Sequence, residues 1–185
     1  MRSGKDSAGY DRLSRALHWG NAVLATVVVG LALSISGTAR HSGARGWLLV
    51  LHMSLGTVIL AVMLFWGGWR LSHRAPPLRP ALSWLEILAA RLTHAVLYLL
   101  FVGMPVAGIV AEMAAGHSIS LFGLVAVPPL LGENGRLAQA AMALHLAGQL
   151  LIYAMVGLHA AAAMLHGFIR RDGILERMLP PRRAR

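Results

Sequence analysis

The sequence contains no cysteine, which excludes disulfides, thiolate-held iron–sulfur clusters and any cofactor attached covalently through paired cysteines. Charge is scarce too: 13% of the residues are charged, against roughly 25% in an ordinary soluble domain. Only seven residues are acidic, so the chain has few carboxylates for proton relays or metal cages. What fills the space is apolar, 57% of the 185 residues. A composition of this kind belongs to a membrane protein.

Three nearly uncharged runs stand out, Trp19–Ala39, Gly46–Trp69 and Leu92–Ala111, and a fourth extends from Leu137 to Phe168. A helix needs roughly 20 such residues to cross a bilayer. The expectation is an all-α, integral membrane four-helix bundle forming a single domain over 1–185, with spans near 15–36, 47–69, 84–111 and 137–168. The first run follows basic residues, as a signal peptide would, but is too long for a signal segment and reads as retained.

The net charge of +10 comes from seventeen basic residues against seven acidic ones, and the basic residues sort by side. Arg2, Lys5, Arg12 and Arg15 precede span one. Arg70, Arg74, Arg79 and Arg91 flank the connection between spans two and three. Arg170, Arg171, Arg177, Arg182, Arg183 and Arg185 follow span four. The two remaining connections hold only Arg40, Arg45 and Arg136. The excess of positive charge on one side places both termini in the cytoplasm. Because the charges lie in short juxtamembrane segments beside lipid headgroups, they do not indicate nucleic acid binding.

Asp11 or Ser14 would cap the first helix. Trp66 and Trp69, in "WGGWR", read as interfacial anchors. "SHRAPPLRPALSW" cannot be helical through Pro76 and Pro77, and Pro105 should kink span three. Within the long connection from Glu112 to Arg136, "ISLFGLVAVPPLL" is too short to cross and too apolar to be solvated, so the segment around 119–131 should be interfacial or re-entrant. No internal repeat is evident.

Nine histidines are present, and six lie in or near spans: His18, His52, His94, His145, His159 and His166. His41, His73 and His117 fall in connections and read as solvated. One imidazole in an apolar helix is commonly a helix–helix hydrogen bond; six in four helices ask for a function. His145 and His159 are fourteen residues apart, which puts them about 40° apart around the helix and about 21 Å apart along it. With spans alternating in direction, the depths match in pairs, His52 with His145 towards the outside and His18 with His159 towards the inside. Two imidazoles facing each other at one depth suit a bis-histidine haem b. Gly56, Gly148 and Ala160 to Ala163 lie near these histidines; they would admit a flat macrocycle or serve ordinary helix packing. Methionines such as Met53, Met142, Met155 and Met164 read as packing.

The segments "SRALHWGNAVL", "LLVLHMSLGTVIL", "LTHAVLYLLFVGMPVAGIV", "ALHLAG" and "VGLHAAAAMLHGFIRRDGILERMLP" resemble, in order and spacing, signatures of the bacterial cytochrome b561 family of four-helix di-haem proteins, most closely its superoxide-oxidase-type members. The resemblance covers nearly the whole chain. It implies axial ligands at His18, His52, His145 and His159, the four that the geometry selects. His166 shares a face with His159 and is the competing partner for His18. His94, with Arg91 one turn before it, suits a propionate or quinone oxygen, or a satisfied interhelical contact.

The resemblance further implies two haems b linking a periplasmic one-electron donor, superoxide for the closest subgroup, to ubiquinone: an oxidoreductase of the superoxide:ubiquinone kind. Arg136, Arg40 and Arg45 on the outer face would draw in a small anion or contact lipid headgroups. Two other functions remain open. One is the electron-accepting subunit of a periplasmic dehydrogenase; the other is a haem-free metal or proton transporter, which the carboxylate-poor spans disfavour, since only Glu112 lies near one.

Overall fold

Asp11 starts the first helix: its carboxylate accepts from the backbone N–H of Ser14 at 2.8 Å and from the Ser14 hydroxyl at 2.6 Å, and the chain turns helical from the next residue. In the computed structural model, which describes residues 9–73, 76 and 82–180, four such capped helices carry most of the chain. They are α1 (Arg12–Gly37), α2 (Gly43–Ser72), α3 (Trp84–Ala114) and α4 (Gly135–Met164). Ser42 and Asn134 cap α2 and α4 through their side chains. Ser83 and Glu86 form a reciprocal capping box on α3, satisfying two first-turn donors at once. At 1.5 Å per residue, helices of about 30 residues span about 45 Å, enough to cross a hydrocarbon core of about 30 Å and emerge on both sides.

All four helices are long and apolar enough to cross a membrane, and the pattern of burial agrees with that medium. The most deeply buried side chains are the hydroxyls of Ser14 and Ser54, while Leu, Val and Phe side chains crowd the exposed surface of every helix. Water would not tolerate such a surface; lipid covers it. Where α3 meets α4 the buried residues include Ala107, Ala111 and Ala141, small side chains that let two backbones approach in the absence of a hydrophobic drive.

Backbone packing is sequential: α1 lies on α2, α2 on α3 and α3 on α4. Among the described residues, α4 makes at most marginal backbone contact with α1 or α2, so the bundle has an open interior on that side. α1 and α4 are joined at one end by the tail. Past Met164 the helix loosens into a π-helical turn, Leu165–Arg170, and Arg171 is left-handed at φ 50°. A short 3-10 turn, Leu175–Met178, follows. Trp19 donates its indole N–H to the Met178 carbonyl at 2.9 Å, and Arg15 donates to that of Leu179 at 2.8 Å. This is the terminal end of the molecule. Arg2, Lys5, Arg74, Arg79, Arg182, Arg183, Arg185 and most of the proline-rich connection lie outside the described residues.

The opposite end is closed by a hairpin. The apolar segment expected to be interfacial or re-entrant forms β1 (Ile119–Leu121) and β2 (Val125–Val127), paired antiparallel with Leu121 opposite Val125. The turn needs left-handed backbone at Phe122 (φ 53°) and Gly123 (φ 73°), and a Cβ on Gly123 would also press on the Trp47 ring at 3.1 Å. Buried Ser54 latches the hairpin to α2, accepting from the Phe122 N–H at 2.7 Å while donating to the Val50 carbonyl at 2.6 Å. The sequence shows alternating apolar residues either side of Phe-Gly; the alternation is short, and the overall apolarity hides it.

Candidate functional site

The open interior is lined by histidines. His18 on α1 faces His159 on α4 with ring centroids 6.1 Å apart, and His52 on α2 faces His145 on α4 at the same 6.1 Å. The rings stand edge-on, at 66° and 78°. These are the two pairs that depth-matching along the helices selects. His166 is not brought to His18: its Nδ1 lies 2.6 Å from the Asp172 carboxylate in the tail.

The spacing separates two explanations. Imidazoles hydrogen-bonded to each other, with N···N near 3 Å, would have centroids about 5 Å apart. Imidazoles sharing one metal ion, each nitrogen about 2 Å from it, would have centroids about 6 Å apart. The observed 6.1 Å in both pairs fits the second, and no hydrogen bond joins the rings of either pair.

The pair near the hairpin end is further prepared. Nδ1 of His145 donates to the Met104 carbonyl at 2.9 Å, and Nδ1 of His52 to the Val28 carbonyl at 3.2 Å. A carbonyl only accepts, so Nδ1 carries the proton in both rings and Nε2 keeps its lone pair for a metal. Met104 immediately precedes Pro105, and α3 continues through that proline. Gly108, one turn on, leaves room for the ring: a Cβ there would stand 3.2 Å from Cε1 of His145, closer than ordinary contact. A Cβ at Gly56, one turn from His52, would meet nothing within 4 Å, as expected where a helix borders empty interior. Gly148 serves packing instead, since a Cβ there would collide with the Met104 sulfur.

The bond from His52 to Val28 also sets the vertical scale. From His18 to Val28 is ten residues of α1, about 15 Å, whereas His145 and His159 are about 21 Å apart on α4. The two pairs are therefore stacked across the bilayer, somewhat closer on the α1 side than the α4 spacing alone suggests.

Around His18 and His159 the structure adds groups that the sequence does not flag. His94 on α3 has its ring centroid 5.3 Å from that of His159, yet it is exposed, because it too borders the open interior. Trp66 turns its ring to His18, centroids 6.2 Å apart, so it faces the bundle and is not an interfacial anchor. Trp69 stacks on His73 at 3.6 Å. Asn21, one turn after His18, is buried with its side-chain oxygen unpartnered. Arg91 is exposed and forms no hydrogen bond or ion pair among the described residues.

Of the three arginines at the hairpin end, Arg45 reaches back to the Ile35 and Thr38 carbonyls and closes the end of α1. Arg40 and Arg136 are exposed. Of the histidines expected to be solvated, His117 pairs with Glu112 at 2.9 Å, and His41 is exposed in left-handed conformation at φ 66°. No group of three or more His, Asp or Glu side chains that could hold a metal ion converges among the described residues; the half-buried histidines meet without carboxylates.

Comparison with known proteins agrees with this geometry. The family model described as prokaryotic cytochrome b561 matches residues 9–181. A protein of Yersinia pestis named a probable superoxide oxidase is 33% identical over 95% of this chain and 98% of its own length. Cytochrome b561 homolog 2 of Escherichia coli is 31% identical, covering 92% of this chain and 90% of that protein. Cytochrome b561 homolog 1 of the same organism is 27% identical over 90% and 94%. Haem b and transmembrane electron transfer are properties of that family, and opposed imidazoles lining an apolar slot are the donor set a b-type haem needs. The chain belongs to the prokaryotic cytochrome b561 family, and is a multi-pass oxidoreductase of the bacterial inner membrane.

Proposed function

We propose that the chain binds two haems b, one between His52 and His145 and one between His18 and His159, and passes single electrons across the membrane from a periplasmic donor to ubiquinone, with superoxide as the donor. The observation that carries this reading is the pair of 6.1 Å imidazole gaps, stacked between helices whose backbones stand apart. Held by one histidine from each side, a haem b would supply one-electron transfer. The protein's part is positional. Val28 and Met104 fix the tautomers of one pair, Gly108 gives His145 its place, and the apolar walls keep water out.

The basic residues set the direction. Among the described residues, Arg12, Arg15, Arg70, Arg91, Arg170, Arg171 and Arg177 lie towards the terminal end and Arg40, Arg45 and Arg136 towards the hairpin end, an asymmetry that supports a periplasmic hairpin under the positive-inside rule. Exposed Arg136 lies in the first turn of α4, nine residues before His145, and would favour the approach of an anion to the periplasmic haem. Arg45 is committed to the end of α1, and contributes through its charge alone.

The test is haem reduction by enzymatically generated superoxide, using purified protein with no other protein donor, run with and without superoxide dismutase. Reduction that dismutase abolishes supports the reading. If haem is present but stays oxidised in both cases, the donor is a partner protein and the chain is the electron-accepting subunit of a periplasmic dehydrogenase.

A further inference from the structure

One stripe of α2 faces the bundle from end to end: His52, Gly56, Ile59, Met63, Trp66 and Arg70 recur at alternating steps of three and four. Ile59 and Met63 are 4% and 3% exposed, which fixes the direction of the stripe. An arginine closing such a stripe would ordinarily pair with a carboxylate or reach water. Nη1 of Arg70 does neither: it is buried and has no hydrogen-bond partner, and the same is true of Nε1 of Trp66 one turn before it. Both are donors, and among the described residues neither has an acceptor within hydrogen-bond distance.

Among the described residues, no carboxylate at this end pairs with Arg70. Asp11 holds the Ser14 N–H and hydroxyl, Glu86 holds Ser83 and Arg170, and Asp172 holds His166. Exposed Glu176 makes no ion pair with Arg70. What lies beside Arg70 is the Tyr10 ring, 5.3 Å from the guanidinium carbon, with Arg177 5.9 Å from the same ring. Two buried donors, one of them cationic, with a second cation nearby, describe a seat for an anion.

The position names the anion. Trp66 is the residue whose ring meets His18, and Arg70 stands one turn, about 6 Å, beyond it towards the terminal end. On the reading that His18 and His159 hold a haem b, that group brings two carboxylates on one edge of its ring, and a planar guanidinium matches a carboxylate better than any other side chain does. We propose that Arg70, assisted by the Trp66 indole N–H, binds a propionate carboxylate of the haem held by His18 and His159, fixing which edge of that haem points to the terminal end. Exposed Arg91 lacks this enclosure.

The competing source of an anion is a lipid phosphate, and the test separates the two. Redox titration and resonance Raman spectra would be recorded on purified holoprotein, with the two haems assigned through His159→Ala and His145→Ala. Removing a cation beside a haem favours its oxidised form. Arg70→Gln should shift the equilibrium of the His18/His159 haem about tenfold towards oxidation, which for one electron is 59 mV. It should also move the propionate bending band while leaving the other haem near its wild-type potential. Arg70→Lys should restore most of the shift, and Trp66→Phe, which removes only the N–H, should produce a smaller shift of the same sign. An unchanged potential and propionate band in Arg70→Gln would overturn the proposal; if that variant does not assemble, the same result in Trp66→Phe would overturn it. So would a wild-type potential that follows exchange of phosphatidylglycerol for phosphatidylcholine and is insensitive to Arg70. Wild-type protein without two haems would instead sink the di-haem reading, before any variant is made.

Discussion

Val28 and Met104 present backbone carbonyls to Nδ1 of His52 and His145, while His18 and His159 face each other with no such anchor among the described residues. At the scale of single residues the two ends should therefore respond separately. His52→Ala or His145→Ala should remove the haem near the hairpin and leave the other largely assembled, read as a fall from two haems per chain to one. His159→Ala should remove the haem near the termini. His166→Ala should keep it with at most a shifted potential, because His166 is held by Asp172 and does not face His18. Loss of the low-spin signal in His166→Ala with retention in His159→Ala would mean that the ligand assignment is wrong by two turns.

Asp172 itself gives a pH prediction. Burial alone would raise its carboxyl, but the hydrogen bonds from His166 and from the Ile174 N–H, with the charges of His166 and Arg170, hold it below its usual range. Its folded value is thus below its unfolded one, so the stabilisation is present above about pH 4 and is lost as pH falls through the folded value. The protection factor of the Ile174 amide should fall on acidification past that point, and Asp172→Ala, which removes the acceptor, should show low protection at every pH.

Among the elements, the hairpin depends most on one contact. Ser54 offers the Phe122 N–H its acceptor at 2.7 Å from a fully buried site. Leaving a buried N–H unmade costs about 1–3 kcal/mol. Ser54→Ala should lower the melting temperature and raise exchange at Phe122, and an unchanged melting temperature would show that the hairpin is held by its apolar contacts alone. Gly108 belongs to the same scale. Gly108→Val should displace the His145 ring and disturb the spectrum of the hairpin-side haem without touching the other. The helices and the ring pairing were legible in the sequence because 3.6 residues per turn is a rigid rule. Fourteen residues between His145 and His159 leaves no choice of face, and the run lengths set the depths. The carbonyl partners of His52 and His145 were not legible, since backbone acceptors carry no residue signature. Nor was the inward direction of Trp66 and Arg70: "WGGWR" at the end of a span reads as an interfacial anchor and a topological charge until the stripe from His52 is seen to continue through both.

The whole molecule is an open-sided bundle with sequential helix packing, in which α4 stands off from α1 and α2 and carries one histidine of each pair. That arrangement gives the account its direction. With Arg136 and Arg40 exposed on the hairpin face, reduction by superoxide should slow as salt rises, and Arg136→Gln should slow it more than Arg40→Gln, measured as the initial rate of haem reduction. Salt independence together with an inert Arg136 would remove steering from the account while leaving the relay intact. The relay stands or falls on stoichiometry. On the proposed reading each opposed imidazole pair holds one b-type haem, and the pyridine haemochrome assay on purified protein counts them against protein concentration. The account predicts two haems b per chain, both low-spin; a ratio of one, or of none, would contradict it.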